Sequence, residues 1–250
     1  MPLDFRRGRT AKELLKIEWS YPVYRPTTPA RKPGERTVAK QVDRALPVEQ
    51  AYLVVADGDK RPLLILRECE LCKGTDHAVL SRTLDNEQTV LLTHWFRCVK
   101  LPPNVLTETH PFYNLFHAGE EGGKVPHLFF ADPDGGHKKA LPGDQSQSDL
   151  WKVMFKYLDR CYDENAKSAI KNLRKLLGQY DKLDAQEDLV RGRIDKEIEK
   201  NGPKSRKLKK FNKDLDKLAK ERKELREKEQ KLRDLALKAA EPEAVGAAAK

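Results

Sequence analysis

At 250 residues the chain has room for one or two domains, and with 38% hydrophobic against 35% charged residues it is too polar to be packed throughout. No run of about eighteen apolar residues occurs, which excludes a membrane-spanning helix, and Met1-Pro2-Leu3-Asp4-Phe5-Arg6-Arg7 lacks the apolar core of a secretory signal, so a cytoplasmic location is expected. The net charge of +10 is uneven: residues 1–40 hold ten Lys/Arg against four Asp/Glu, 41–164 fourteen against nineteen, and 165–240 twenty-four against fourteen.

An acidic body with basic appendages on both sides is therefore expected. The first appendage, residues 1–45, is rich in proline and basic residues and reads as a largely disordered segment, with room for a short helix over 10–18. From Pro47 the texture changes. Residues 48–56 read as a helix stopped by Asp57-Gly58-Asp59. Pro62-Leu63-Leu64-Ile65-Leu66 is a continuous apolar run, as in a strand covered on both faces. Residues 72–84 are expected as a helix and 88–98 as a second strand, with a short helical piece over 111–116. A third strand spans 125–131, the turn Asp132-Pro133-Asp134-Gly135-Gly136 follows, and a short strand over 137–140 completes a β-hairpin. Residues 149–162 read as an amphipathic helix. This order predicts an α/β sandwich with a mixed sheet over residues 46–163.

Beyond it, residues 164–240 carry two apolar seams at three- and four-residue steps around the break Asn201-Gly202-Pro203. That pattern predicts a long antiparallel helical hairpin, a coiled coil with arms of roughly 50 Å. Residues 241–250 are expected to be a disordered tail.

The chemistry centres on Cys69-Glu70-Leu71-Cys72-Lys73, directly after the apolar strand. Four cysteines (Cys69, Cys72, Cys98, Cys161) are too few for a disulfide framework, so in a reducing compartment a CxxC is a redox pair or a metal site rather than a structural bridge. A helix N-terminus beside Cys69 would favour its thiolate. The metal alternative combines Cys69, Cys72 and Cys98 with His77 or His94, but zinc needs four ligands converging tetrahedrally and the spacing follows no standard pattern. Loss of the chemistry with retention of the scaffold is the third reading.

These residues resemble the thioredoxin superfamily, especially its divergent bacterial members. The carriers are the strand 62–66, the CxxCK turn, and Lys124-Val125-Pro126-His127-Leu128-Phe129-Phe130 as a strand opened by a cis-proline. The resemblance implies a thioredoxin-like sandwich in which Cys69 attacks, Cys72 resolves, and Val125 and Pro126 shape the substrate groove; no cofactor is required. Three departures have a direction. Glu68 stands where an aromatic usually precedes the first cysteine, Glu70-Leu71 fills the intervening pair, and Leu63 occupies the position of the buried relay acid. Carboxylates flanking Cys69 disfavour its thiolate, so a slow, relatively reducing pair is expected.

The expected function is thus thiol–disulfide exchange on protein substrates, with the coiled-coil arm binding partners or self-associating. The alternative is a non-catalytic adaptor whose function lies in the basic arm. Arg206-Lys207-Leu208-Lys209-Lys210 offers charge for nucleic acid, but without aromatic–basic interleaving the sequence reads first as a solvated face.

Overall fold

The computed structural model of the chain describes residues 7–24, 44–68, 76–81, 83–117 and 125–238. Its centre is strand β1 (Leu63–Arg67), in which Leu63, Leu64, Ile65 and Leu66 are all buried. Parallel to it runs β2 (Arg97–Leu101), with Leu63 opposite Arg97 and Leu66 opposite Lys100. On its other side β3 (Leu128–Ala131) is antiparallel, and β4 (Lys139–Leu141) pairs antiparallel with β3. The sheet order is β2-β1-β3-β4.

Alternate side chains of a strand face opposite sides of the sheet. Leu64, Leu66, Cys98, Leu128 and Phe130 enter one core; Leu63, Ile65, Val99, Leu101 and Phe129 enter the other. That double burial explains why β1 reads as an unbroken apolar run; each such side chain contributes about 2 kcal/mol of transfer free energy. Helices α2 (Val48–Ala56) and α4 (Tyr113–His117) cover the second core. The first lies under α1 (Arg9–Leu14), α3 (Glu87–Thr93), α5 (Gln147–Cys161) and the root of α6 (Ala166–Asn201). At the β3–β4 turn Gly135 has φ +91°, and a Cβ there would lie 2.4 Å from the Tyr52 ring, so only glycine fits.

Four expectations need correction. The strand expected over 88–98 is helix α3 followed by β2; Thr89, Val90, Leu91, Leu92 and Thr93 are all buried between the sheet and the outer helices. A surface strand alternates, whereas this segment is packed around its circumference and tertiary contact overrides its β-branched composition. The helix expected over 72–84 is absent from its described part, residues 76–81 and 83–84, which form turns. There Asn86 clamps the chain from its side chain, accepting from Ser81 N–H and donating to Ser81 O at 2.8 Å each, and Ser81 Oγ accepts from Leu84 N–H. Such bonds compete with helix formation.

The third correction concerns residues 7–24, expected as part of a disordered tail. Ala11, Leu14 and Leu15 are buried against α6 and its neighbours, and Ser20 adds to the free edge of β2. Ser20 N–H donates to Cys98 O, and Lys100 N–H donates to Ser20 O, at 2.9 Å each. Charge fixes the same segment: Arg7 reaches Glu87 and Asp181, and Thr10 donates its hydroxyl to Asp184 at 2.7 Å. Residues 1–6 and 25–43 of the expected tail lie outside the described residues.

The boundary expected at residue 164 is also not a boundary in packing. Ala166, Ala169, Ile170, Leu173, Leu176, Leu177 and Tyr180 belong to the first core, so the root of α6 is part of the body. Asn165 caps it, accepting from Ser168 N–H. Beyond Leu183 the helix contacts α7 (Leu208–Arg233) through Val190, Ile194, Phe211, Leu215 and Leu218. The two run in opposite directions: Tyr180 meets Glu229, Glu187 meets Arg222, and Glu197 meets Ser205. After α7 the chain returns to the body, where Leu237 pairs with Tyr162. No helix among the described residues is long and apolar enough to cross a membrane.

Candidate functional site

Parallel strands β1 and β2 end side by side, and open α/β sheets place ligands at the carboxyl ends of such strands. The chain leaves β1 there toward the CxxC. Arg67 N–H donates to His127 O at 2.9 Å, and Glu68 N–H donates to Leu101 O at 2.8 Å. Glu68 is therefore held on the β2 side, while the antiparallel register carries Pro126 alongside it on the β3 side. Pro126 is buried, and Val125 packs at the margin of the second core. Cys69 and Cys72 lie outside the described residues. No peptide bond among the described residues is cis, so Val125–Pro126 is trans, which differs from the cis bond the resemblance implied.

Two cations flank the exit from β1. Lys100 lies on the face of Leu64 and Leu66, Arg67 on the face of Leu63 and Ile65, by strand alternation. Lys100 is buried and paired: its Nζ is 2.6 Å from Asp76 Oδ1 and 4.7 Å from the Trp19 ring centroid. The Trp19 indole N–H donates to the other Asp76 oxygen at 3.2 Å. Burial of a charge is tolerable only with such pairing. Arg67 has no such partner; its Nε is buried and unbonded among the described residues. Burial lowers the pKa of Arg67, and burial together with the Arg67 charge lowers that of the half-buried His127. An arginine whose Nε has no partner among the described residues thus stands at the end of β1, one residue before Glu68 and, in sequence, two before Cys69.

The metal alternative finds no support in this part of the fold. Cys98 is buried in the first core with its Sγ donating to Thr93 O at 3.6 Å, and burial pushes its pKa up to about 12. Zinc needs the thiolate, which that environment disfavours. His94 sits at the opposite end of the strands, its Nε2 bonded to Leu14 O at 2.9 Å. No group of three or more His, Cys, Asp or Glu among the described residues, His77 included, could hold a metal. Cys161 is half-buried against the first core, and burial raises its pKa.

That opposite end holds a cleft of about 350 Å³ lined by Arg61, His94, Trp95, Tyr162, Arg233 and Leu235. Its polar groups are already engaged. Arg61 is bound by Asp59 and by His94 O, Arg233 by Glu18 and Glu229, and the Tyr162 hydroxyl donates to Trp95 O. The cleft is a seam where the returning chain docks.

The Asp76–Lys100–Trp19 cluster and the lone Arg67 escaped the sequence reading. A signal existed for one of them: a lysine inside the buried strand Cys98-Val99-Lys100-Leu101 demands a carboxylate partner. No family model, curated protein or solved structure matches this chain.

Proposed function

We propose that the chain is a thioredoxin-like thiol–disulfide oxidoreductase whose exchange pair is Cys69 and Cys72. The observation carrying this reading is the register at the end of β1: Arg67 bonded to His127 brings Pro126 beside the residue that precedes Cys69. The mixed order β2-β1-β3-β4, with the cysteine segment leaving the central strand and helices on both faces, supports the same fold.

In the reaction, the Cys69 thiolate attacks one sulfur of a protein disulfide and the other sulfur leaves as a thiolate. Cys72, deprotonated, then attacks Cys69 in the mixed disulfide and expels the second substrate thiol. The substrate gains two electrons and two protons, Cys69–Cys72 becomes a disulfide, and a dithiol reductant restores it. Lys100 is neutralised by Asp76, which leaves Arg67, two residues before Cys69, and Lys73 of the motif as the cations that would offset Glu68 and Glu70 in stabilising the Cys69 thiolate. Pro126 and Val125 would line the groove for an extended substrate. Helices α6 and α7 would form an antiparallel coiled-coil hairpin within one chain, the Arg222–Glu187 contact fixing its register.

The test is reduction of insulin by dithiothreitol with the full chain and its Cys69→Ser and Cys72→Ser variants. Acceleration by the wild type that both variants lose supports the reading; no acceleration, or acceleration unchanged in Cys69→Ser, overturns it. A second reading, an adaptor without turnover, is favoured by Leu63: fully buried among apolar neighbours, it stands where a relay acid would.

A further inference from the structure

The far end of α6 and the start of α7 concentrate charge that the fold does not use. Between residues 196 and 213 stand eight Lys/Arg against two glutamates. All eight are exposed. One of them, Lys207, approaches a carboxylate among the described residues, Glu197 at 3.9 Å, and Glu197 is already bonded to Asn201 and Ser205. Lys207 stands at the N-cap of α7 with no side-chain cap bond, no acid lies in the first turn, and Lys209 and Lys210 do. Cations at the positive end of a helix destabilise it, so these lysines are not there for helix stability.

We propose that this tip binds the phosphate backbone of double-stranded nucleic acid, without reading sequence. Its excess of unmatched cations complements a polyanion, and neutralising phosphates releases condensed counterions. The tip offers no exposed aromatic ring on which bases could stack: Phe211 packs inward against α6. Nor is there an apolar anchor for a bilayer, since the exposed large apolar side chain nearest the tip is Ile198 at 40% exposure. The surface is independent of the cysteines and stands whether or not they exchange disulfides.

The experiment measures fluorescence anisotropy of a labelled 20-base-pair duplex, as DNA and as RNA, titrated with the full chain. With about four phosphates neutralised, affinity should fall about tenfold between 50 and 100 mM salt. The variant Lys204→Glu/Arg206→Glu/Lys209→Glu/Lys210→Glu should lose at least about tenfold in affinity at 50 mM salt. The same variant should melt no lower than wild type, because acids replace cations at the helix start; a lost fold is thereby distinguished from a lost site. Lys152→Gln/Lys156→Gln, on α5 in the body, should bind as wild type. No binding at 50 mM salt, binding unchanged by the four-site variant, or binding to phosphatidylserine vesicles without binding to the duplex would each overturn the proposal.

Discussion

The indole N–H of Trp95, at the head of β2, donates to the carbonyl oxygen of Arg233 in the last turn of α7, at 3.0 Å. Three further bonds seat the same end of the chain: Asp163 N–H to Ala236 O, Lys238 N–H to Cys161 O, and Ala236 N–H to Glu164. Trp95→Phe keeps most of the buried ring and removes the donor. The expected loss is about 1–2 kcal/mol in urea unfolding, with faster amide exchange confined to the last turn of α7 and residues 234–238. Unchanged exchange there would show that the indole bond does not hold the returning segment.

Glu187 should make the protein acid-sensitive. Burial opposes its ionisation, but hydrogen bonds from Arg191 and Arg222, with Arg9 nearby, outweigh it and hold the carboxyl at about 2. The folded value lies below the unfolded one, so the unfolded chain takes up this proton first. The contribution is complete above about pH 4.5 and is lost as pH falls toward about 2. Urea midpoints of wild type and Glu187→Gln should therefore differ at pH 7 and converge toward pH 2. A constant gap would remove Glu187 from the acid transition.

The Asp76–Lys100 pair predicts non-additive mutations. Asp76→Asn leaves the buried Lys100 ammonium without its carboxylate and should cost about 3 kcal/mol. Replacing both, as Asp76→Asn/Lys100→Met, removes the stranded charge and should recover much of that loss. A double variant no more stable than Asp76→Asn alone, measured by urea unfolding, would show that Lys100 is not held by this contact.

Cys98 should be inert in the folded protein. It is buried, bonded to Thr93 O, and pushed up to about 12 by burial, so little thiolate exists near neutrality and no reagent reaches it. Iodoacetamide at pH 8 followed by peptide mapping should leave Cys98 unmodified in buffer and modify it in 6 M guanidinium. Modification without denaturant would show that Cys98 is reachable from solvent in the folded protein.

What could be read from the chain depended on how each signal was encoded. Strand β1 was legible because burial on both faces leaves a continuous apolar run, and α5 because its buried side chains recur at helical spacing, although the Ser146 cap that sets its start went unread. The break between α6 and α7 was legible from Asn201-Gly202-Pro203, and the helix ends at Asn201. Helix α3 was not, since a short helix packed on all sides has no polar face to set its period. The order of residues 7–24 was hidden for a different reason. Their partners, Asp181 and Asp184, lie more than 170 positions away, and no local pattern announces such a pairing. Of the site, Cys69, Cys72 and Pro126 came from a motif, whereas Arg67 and Asp76 gain meaning only when three chain segments meet at one strand end.

Helix α6 begins inside the sheet's own core and ends at the lysine-rich tip without a proline or a break between. There is accordingly no joint at its root. A ligand held at the tip would be carried on the same continuous helix that packs Leu173 and Tyr180 into the sheet's core. The arm would act as a fixed spacer, setting how far a captured polyanion stands from the rest of the protein.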